Sequence, residues 1–351
     1  MNPITSTPAL NSHSTRMHSE AAESGAAVRR QITECGSLFQ ALGDRLRHRP
    51  PRAIVTCARG SSDHATTYAK YLIETHTGIP VASAAPSLSS MYGVSPHLAD
   101  CLYIAVSQSG RSPDLLASVE AARAGGATVV ALCNDATAPL NHLADVAIPL
   151  CAGPEISVAA TKSYIASLAA FLQVVGAWTE RPDLREAVAS LPDDLDEAFD
   201  QDWSAAVETL ADVQHLYVIG RGLGLGVAQE IALKSKETCA LHAEAFSGAE
   251  VRHGPFSLLG PHFPALIIGQ RDVTQAGLAA LVPELGRRAV PTLHAGLGIN
   301  DGISLPMALS HPASQAALHA AAAYRMLAQL SVRRGLNPDN PPHLRKVTET
   351  H

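Results

Sequence analysis

Short apolar runs alternate with helical stretches along most of the chain, and this alternation restricts the fold more than any other feature of the sequence. In the N-terminal half, strand-like runs lie at residues 53–57, 79–84, 102–106, 128–132 and 146–150. Helices are predicted around them, at residues 26–47, 62–75, 113–124 and 158–178. Such alternation is typical of a parallel sheet covered by helices on both faces.

The C-terminal half repeats this pattern. Strands are predicted at residues 215–220, 264–268 and 289–295, and helices at residues 193–213, 224–240, 274–287 and 312–334. In both halves the first strand is followed by an Arg-Gly pair, Arg59-Gly60 and Arg221-Gly222. We therefore predict a duplication of two doubly wound α/β domains.

The predicted domains span residues 25–190 and 191–335. Residues 1–24 are rich in Ser, Thr, Pro and Asn without periodicity, which is typical of a disordered arm. Residues 336–351 form a Pro-rich tail. The whole chain of 351 residues is 46% hydrophobic, which is enough apolar material for two domain cores.

Composition also excludes several classes of function. A formal charge of −6 and an aromatic content of 4% argue against a nucleic-acid partner. No apolar run is long enough to span a membrane, and the first residues lack the features of a signal peptide. The six cysteines include no CxxC pair, so we expect reduced thiols in a cytoplasmic protein.

Two Ser-rich turns indicate an anion site. Gly60-Ser61-Ser62 follows the first strand, and the segment from Ser107 to Ser112 follows the third. Carboxyl ends of parallel strands and helix N-termini are where such sheets bind anions. A phosphate site is therefore predicted, without the Lys of a Walker A loop. The alternative is that these serines only cap helices.

Two further clusters carry ionisable groups. Glu230, Lys234 and Glu237 share one helix face, which is typical either of a solvated ion-pair ladder or of a carboxylate placed for proton transfer. His242 and His253 lie with two glutamates within one short segment, but their spacing fits no known zinc pattern. We therefore predict no metal, and we interpret His242 as a structural hydrogen-bonding residue.

Six stretches, in this order and spacing, resemble the tandem SIS (sugar isomerase) proteins over about residues 50–351. They are CARGSSDHATTYAKY, AVSQSGRSPD, GPEISVAATKSY, GRGLGLGVAQEIALKSKE, HAEAFSGAEVRHGP and NPDNPPHLRKVT. The resemblance is greatest to the isomerase half of glucosamine-6-phosphate synthase and to stand-alone SIS-type glucosamine-6-phosphate deaminases. It implies two SIS domains and a phosphosugar substrate.

The resemblance also implies roles for individual residues. It assigns phosphate binding to Ser61, Ser62, Ser107, Gln108, Ser109 and Ser112. Val158 lies where the family contacts the sugar through its backbone. Glu237 matches the proton-transfer glutamate, with Glu230 and Lys234 as polar neighbours in the site. His253 matches a ring-opening histidine that comes from the partner subunit, which implies a homodimer. Lys346 matches the tail lysine that meets the open-chain carbonyl.

The sequence departs from the synthase at two places. Asn2 stands where the synthase has its glutaminase cysteine, so glutamine hydrolysis is not expected. The turn from Cys57 to Ser62 resembles the deaminase branch more, and its Arg59 adds a cation, either for the phosphate or for a loop carboxylate.

The resemblance therefore implies a cofactor-free, cytoplasmic glucosamine-6-phosphate deaminase. The alternatives are a phosphosugar isomerase, a deglycase for sugar phosphates linked to amino acids, and a non-catalytic sugar-phosphate sensor.

Overall fold

Two five-stranded parallel sheets form the centre of the molecule in the computed structural model, which describes residues 11–346. The first sheet has the order β2-β1-β3-β4-β5, and its strands are β1 (Ile54–Cys57), β2 (Val81–Ser83), β3 (Leu102–Ser107), β4 (Thr128–Cys133) and β5 (Val146–Pro149). The second has the order β10-β9-β8-β6-β7, and its strands are β6 (His215–Gly220), β7 (His242–Ser247), β8 (Ala265–Ile268), β9 (Thr292–Ala295) and β10 (Ile303–Leu305). The predicted doubly wound α/β fold is confirmed.

The two sheets have the same topology. β1 lies between β2 and β3, with Ile54 opposite Val81 on one side and Leu102 on the other. β6 lies in the same way between β7 and β8, with Tyr217 opposite Ala265. Chain connections leave β1 and β6 in opposite directions, so each sheet has a crevice at the carboxyl end of its central strand.

The helices cover both sheets. They are α1 (Arg16–Ala22), α2 (Ser24–His48), α3 (Ser61–Thr77), α4 (Ser87–Ser90), α5 (Pro113–Ala124), α6 (Pro139–Leu143), α7 (Lys162–Thr179), α8 (Pro182–Phe199), α9 (Ser204–Leu210), α10 (Gly224–Cys239), α11 (Gln275–Ala279), α12 (Leu281–Gly286) and α13 (Pro312–Arg333). No described helix is long and apolar enough to cross a membrane.

Helix α7 lies at the centre of the helical packing. Every side chain from Lys162 to Trp178 is buried, and the helix packs against α2, α3, α8 and α13. A helix that is apolar on all faces must be surrounded by other elements. One continuous core therefore includes residues of both halves.

Several predicted elements differ from the observed ones. The helix predicted at residues 193–213 starts earlier and is interrupted, giving α8 and α9, and the one predicted at 274–287 divides into α11 and α12. The strand β7 was not predicted, because its sequence HAEAFS is half polar. The domain boundary predicted between residues 190 and 191 lies inside α8, which packs against helices of both halves.

Residues 11–24 are not the disordered arm that the sequence predicted. They include α1, whose Met17 and Ala21 are completely buried. Asp339 accepts hydrogen bonds from the first backbone amides of this helix, at Arg16 and Met17. Burial and capping by a distant residue give this segment an order that its composition does not indicate. Residues 1–10 of the predicted arm lie outside the described residues.

Buried His319 makes the stability of the fold depend on pH. Its Nε2–H donates to the Gly269 carbonyl oxygen at 2.7 Å, and burial lowers the pKa of the imidazole to about 4. Because the unfolded chain binds the proton more readily, this contribution to stability is complete above pH 6.5 and is lost as the pH falls toward 4.

We expect the pH dependence of unfolding to be weaker in a His319→Gln variant, which keeps an amide donor for Gly269. Between pH 7 and pH 5, the wild-type protein should lose about 2 kcal/mol more unfolding free energy than the variant. Urea unfolding at both pH values and equal protein concentration measures this difference. Equal losses in the two proteins would contradict the assignment to His319.

Candidate active site

A cavity of about 360 Å³ opens at the carboxyl ends of β1 and β3. The residues that the sequence predicted to bind phosphate all line it, namely Ser61, Ser62, Ser107, Gln108, Ser109 and Ser112. Val158, Lys234, Glu237 and Lys346 line the same cavity. The fold therefore brings together residues from both halves and from the tail around one space.

Gly110 fixes the conformation of the second Ser-rich turn. Its φ of +60° is in the left-handed region, and a Cβ here would lie 2.6 Å from Cβ of Ala138. Its N–H donates to Oγ of Ser107 at 2.9 Å. Ser112 before α5 makes no side-chain capping hydrogen bond, and Gly60 before α3 has no side chain that could cap the helix. The two helix N-termini are therefore not capped by these residues, which favours an anion site over simple capping.

Arg59 forms an ion pair with the Asp114 carboxylate of helix α5. Its Nε and Nη2 donate to Oδ2 of Asp114 at 3.0 and 2.7 Å. Asp114 is almost completely buried in the first turn of α5, whereas about half of the Arg59 side chain is exposed at the cavity wall. The ion pair joins the two Ser-rich turns and leaves a partly neutralised cation beside them.

The Glu230–Lys234–Glu237 face of α10 is buried and does not form a solvated ladder. Lys234 Nζ donates to Oε2 of Glu237 at 2.6 Å and to Oγ of Ser61 at 2.9 Å, and it lies 3.5 Å from Oε1 of Glu230. Glu230 is completely buried beneath the cavity, and Glu237 is partly exposed in it. Lys234 thus connects the predicted proton-transfer carboxylate to the Ser-rich turn.

Contacts around Glu230 and Lys234 favour the charged forms of these two residues. Burial raises the pKa of Glu230, but the charge of Lys234 and hydrogen bonds from His64 and Tyr324 outweigh this effect and lower it. His64 Nδ1 lies 3.0 Å from Oε2 of Glu230, and the Tyr324 hydroxyl donates to Oε1 at 2.9 Å. The two glutamates likewise raise the pKa of Lys234, although burial lowers it.

Lys346 enters the cavity from the tail. Its Nζ donates to the Ser157 carbonyl oxygen at 2.7 Å and to Oε2 of Glu155 at 3.2 Å. Glu155 is buried and also accepts hydrogen bonds from the Ser163 hydroxyl and from two backbone amides. Burial raises the pKa of Glu155, but the charge of Lys346 and these hydrogen bonds lower it overall.

Sequence reasoning did not identify two residues that position Lys346, Glu155 by direct contact and Glu20 through the backbone. Glu155 lies in the stretch GPEISVAATKSY, directly before the segment that contains Val158, and a carboxylate at that place was a usable signal. Glu20 accepts hydrogen bonds from the backbone amides of Ile156 and Ser157. Nothing in the sequence indicates a role for Glu20, because it lies in the segment that its composition predicts to be disordered.

The two histidines of the β7 region lie away from this cavity. His253 is exposed next to Gly254, whose φ is +117°, and it does not line the cavity of its own chain. His242 Nδ1 lies 3.1 Å from Nδ1 of His215 on the neighbouring strand. Among residues 11–346, no group of three or more His, Cys, Asp or Glu side chains is arranged to hold a metal ion.

The second sheet has an equivalent crevice of about 560 Å³ at the ends of β6 and β8. Gly222 there has a φ of +59°, close to the +56° of Gly60. The turn after β8 differs in chemistry, however. The Asp272 carboxylate accepts hydrogen bonds from the Thr274 amide at 2.7 Å and from the Gln270 side chain at 3.0 Å. A carboxylate in this turn disfavours a phosphate by charge.

Family comparison agrees with this architecture. The model of the SIS domain matches residues 49–177 and 209–334, so the chain belongs to the SIS-domain family and contains two SIS domains. It is similar to the glutamine–fructose-6-phosphate aminotransferase [isomerizing] of Thermotoga maritima, with 31% identity over 313 residues, which are 84% of this chain and 50% of that protein. The corresponding protein of Pseudomonas aeruginosa is 34% identical over 71% of this chain and 43% of its own length. The chain thus spans about half the length of the curated relatives it matches.

Solved structures give the same fold. A protein from Silicibacter pomeroyi described as a phosphosugar isomerase superposes with a TM-score of 0.89 at 37% identity, covering 93% of this chain and 100% of that one. A glucosamine-6-phosphate deaminase from Thermotoga maritima superposes with a TM-score of 0.78 at 18% identity, covering 96% and 100%. At 18% identity, the second likeness shows the fold alone.

We expect Lys234→Met to destabilise the protein by about 3–5 kcal/mol, because it leaves the buried Glu230 carboxylate without its cation. Chemical denaturation measures the loss. The matched control Lys236→Met, on the same helix, removes only a hydrogen bond to the Ala243 carbonyl and should cost about 1 kcal/mol. Adding Glu230→Gln to Lys234→Met should recover part of the loss, and additive losses would contradict this explanation.

Proposed function

We propose that the protein is a glucosamine-6-phosphate deaminase, which converts glucosamine 6-phosphate and water into fructose 6-phosphate and ammonia. The observation that carries the proposal is the single cavity that combines the Ser-rich turns, Glu237 and Lys346. The turns supply hydroxyls and helix amides for the phosphate, and Glu237 and Lys346 supply a carboxylate and an amine for chemistry on the sugar.

The proposed reaction has four steps, and the role of each residue is the one that the family resemblance implies. His253 of a second subunit moves a proton between the ring oxygen and O1 to open the ring. Glu237 then takes the proton from C2 and returns it at C1, which turns the amino-aldehyde into a ketose imine. Water adds to C2, and the C–N bond breaks to release ammonia. The carbonyl and the adjacent amine provide the activation, so no step needs a metal or an organic cofactor.

Lys346 has an electrostatic role in this scheme. Its amine donates to the Ser157 carbonyl oxygen and to the Glu155 carboxylate. A cation held at this place can polarise the open-chain carbonyl and stabilise negative charge that develops on its oxygen.

The nearest alternative is a phosphosugar isomerase, because the structural neighbour from Silicibacter pomeroyi is described as one. It would use the same turns and the same Glu237 and would release no ammonia. A deglycase would differ only in the leaving group. A non-catalytic sensor fits less well, because Glu237 and Lys346 both face the cavity. Measuring ammonia and fructose 6-phosphate from the same sample separates these cases.

Glu237→Gln should reduce kcat for ammonia release by about 10²–10⁴-fold, because the amide cannot carry the proton from C2 to C1. Binding of glucosamine 6-phosphate, measured by calorimetry, should stay within about threefold of wild type, because the Ser-rich turns are unchanged. The control Glu186→Gln, at an exposed position of helix α8, should behave as wild type. Full turnover by Glu237→Gln would contradict the assignment.

Mixing two inactive variants tests whether the site is shared between subunits. Glu237→Gln and His253→Ala are each expected to be inactive as homodimers. If His253 acts across the interface, a hybrid dimer contains one site with both residues intact, so an equilibrated equimolar mixture should recover about a quarter of wild-type activity. A mixture that exchanges subunits but stays inactive would place His253 outside a shared site.

A further inference from the structure

Helix α1 makes a buried contact with the cavity wall that the proposed reaction does not use. Oε1 of Glu20 accepts a hydrogen bond from the Ile156 amide at 2.5 Å, and the Ser157 amide lies 3.2 Å from Oε2. The carbonyl of the same Ser157 accepts the hydrogen bond from Lys346 Nζ. Glu20 therefore fixes the backbone at Ser157, whose carbonyl oxygen accepts the hydrogen bond from the Lys346 amine.

The opposite end of α1 is attached to the tail that carries Lys346. Oδ2 of Asp339 accepts from the Arg16 amide and Oδ1 from the Met17 amide, both at 2.8 Å. The contacts form a closed chain, which runs from Lys346 through Ser157 and Glu20 along α1 to Asp339 and back into the tail. Loss of one contact in such a chain weakens the others, so the docking of α1 and of the tail are coupled.

Electrostatic interactions also connect Glu20 to Lys346. Glu20 and Glu155 are both buried, and the charge of Lys346 lowers the pKa of each carboxyl. Burial raises the pKa of the Glu20 carboxyl, and the nearby Glu155 raises it further, whereas the two amides and Lys346 lower it. The two amides and the cation offset only part of the lost hydration of this carboxylate, so its pKa stays above the ordinary value.

We propose that Glu20 is a positioning residue for Lys346 and that α1 is an element of the active site. The inference rests on the proposed function only in the role that this function gives to the Lys346 amine. Glu20 itself does not line the cavity and touches no reacting atom. It acts through the backbone of Ile156 and Ser157, next to Val158 of the cavity wall.

Chemical labelling of lysines tests the placement of Lys346 without any turnover. The protein is treated with a limiting amount of an N-hydroxysuccinimide acetate ester, and labelled peptides are quantified by mass spectrometry. In Glu20→Ala, Lys346 should be labelled about threefold faster or more, because its carbonyl acceptor is no longer fixed. Exposed Lys70 is the internal reference, and Ser19→Ala, on the same helix, is the matched control.

Two further variants separate positioning from general loss of structure. Glu20→Gln keeps an acceptor for the Ile156 amide, so it should restore most of the wild-type labelling rate. Asp339→Ala should raise the labelling of Lys346 as Glu20→Ala does, and the double variant should show less than the product of the two effects. Circular dichroism identifies variants that do not fold; if Glu20→Ala is one of them, Glu20→Gln and Asp339→Ala decide the question.

A kinetic measurement adds a second readout. Glu20→Ala should reduce kcat for deamination about tenfold, with KM within about twofold, because the amine moves and the Ser-rich turns do not. Wild-type labelling of Lys346 in folded Glu20→Ala would overturn the inference. Absence of deamination by the wild-type protein would instead refute the proposed function and leave the labelling result to decide this one.

Discussion

The buried ion network on α10 is the constraint on which the rest of the site depends. Lys234 lies among Glu230, Glu237 and Ser61, and Glu230 is in turn held by His64 and Tyr324. These residues come from the first half, the second half and the last helix. Because buried charges without partners are strongly unfavourable, the network requires the two halves to pack in one relative position. The cavity forms where that packing meets the carboxyl ends of the first sheet.

The fold and most of the cavity could be predicted from the sequence. Period and spacing locate strands such as β1, β3 and β6, because buried parallel strands are continuously apolar and short. The serines at Ser61 and Ser107 could be placed in one site, because neighbouring parallel strands end at one edge of the sheet. Lys346 could be connected to that site only through the family resemblance, because nothing in a Pro-rich tail indicates where it docks.

Other features depended on contacts that local sequence does not encode. The segment containing Glu20 has the composition of a disordered arm, and its order comes from the burial of Met17 and from capping by Asp339, which lies more than 300 residues away. The strand β7 has a half-polar sequence and is recognisable only from its pairing with β6. From the sequence alone, the face of α10 could be a solvated ion-pair ladder or could carry a carboxylate for proton transfer. Only the packing of α13 and α3 on it makes Glu230 a buried residue.

The Asp272 turn shows how two copies of one architecture came to differ. Both halves keep the central strand, the left-handed glycine and the open crevice, yet the first lines its crevice with five serines and the second places the Asp272 carboxylate there. In the second, a side chain of the protein itself takes the hydrogen bonds that an incoming ligand would otherwise make. The second repeat contributes two residues of its helix α10, Lys234 and Glu237, to the cavity of the first repeat. The two repeats thus have the same strand topology but contribute different chemical groups to the cavity at the ends of β1 and β3.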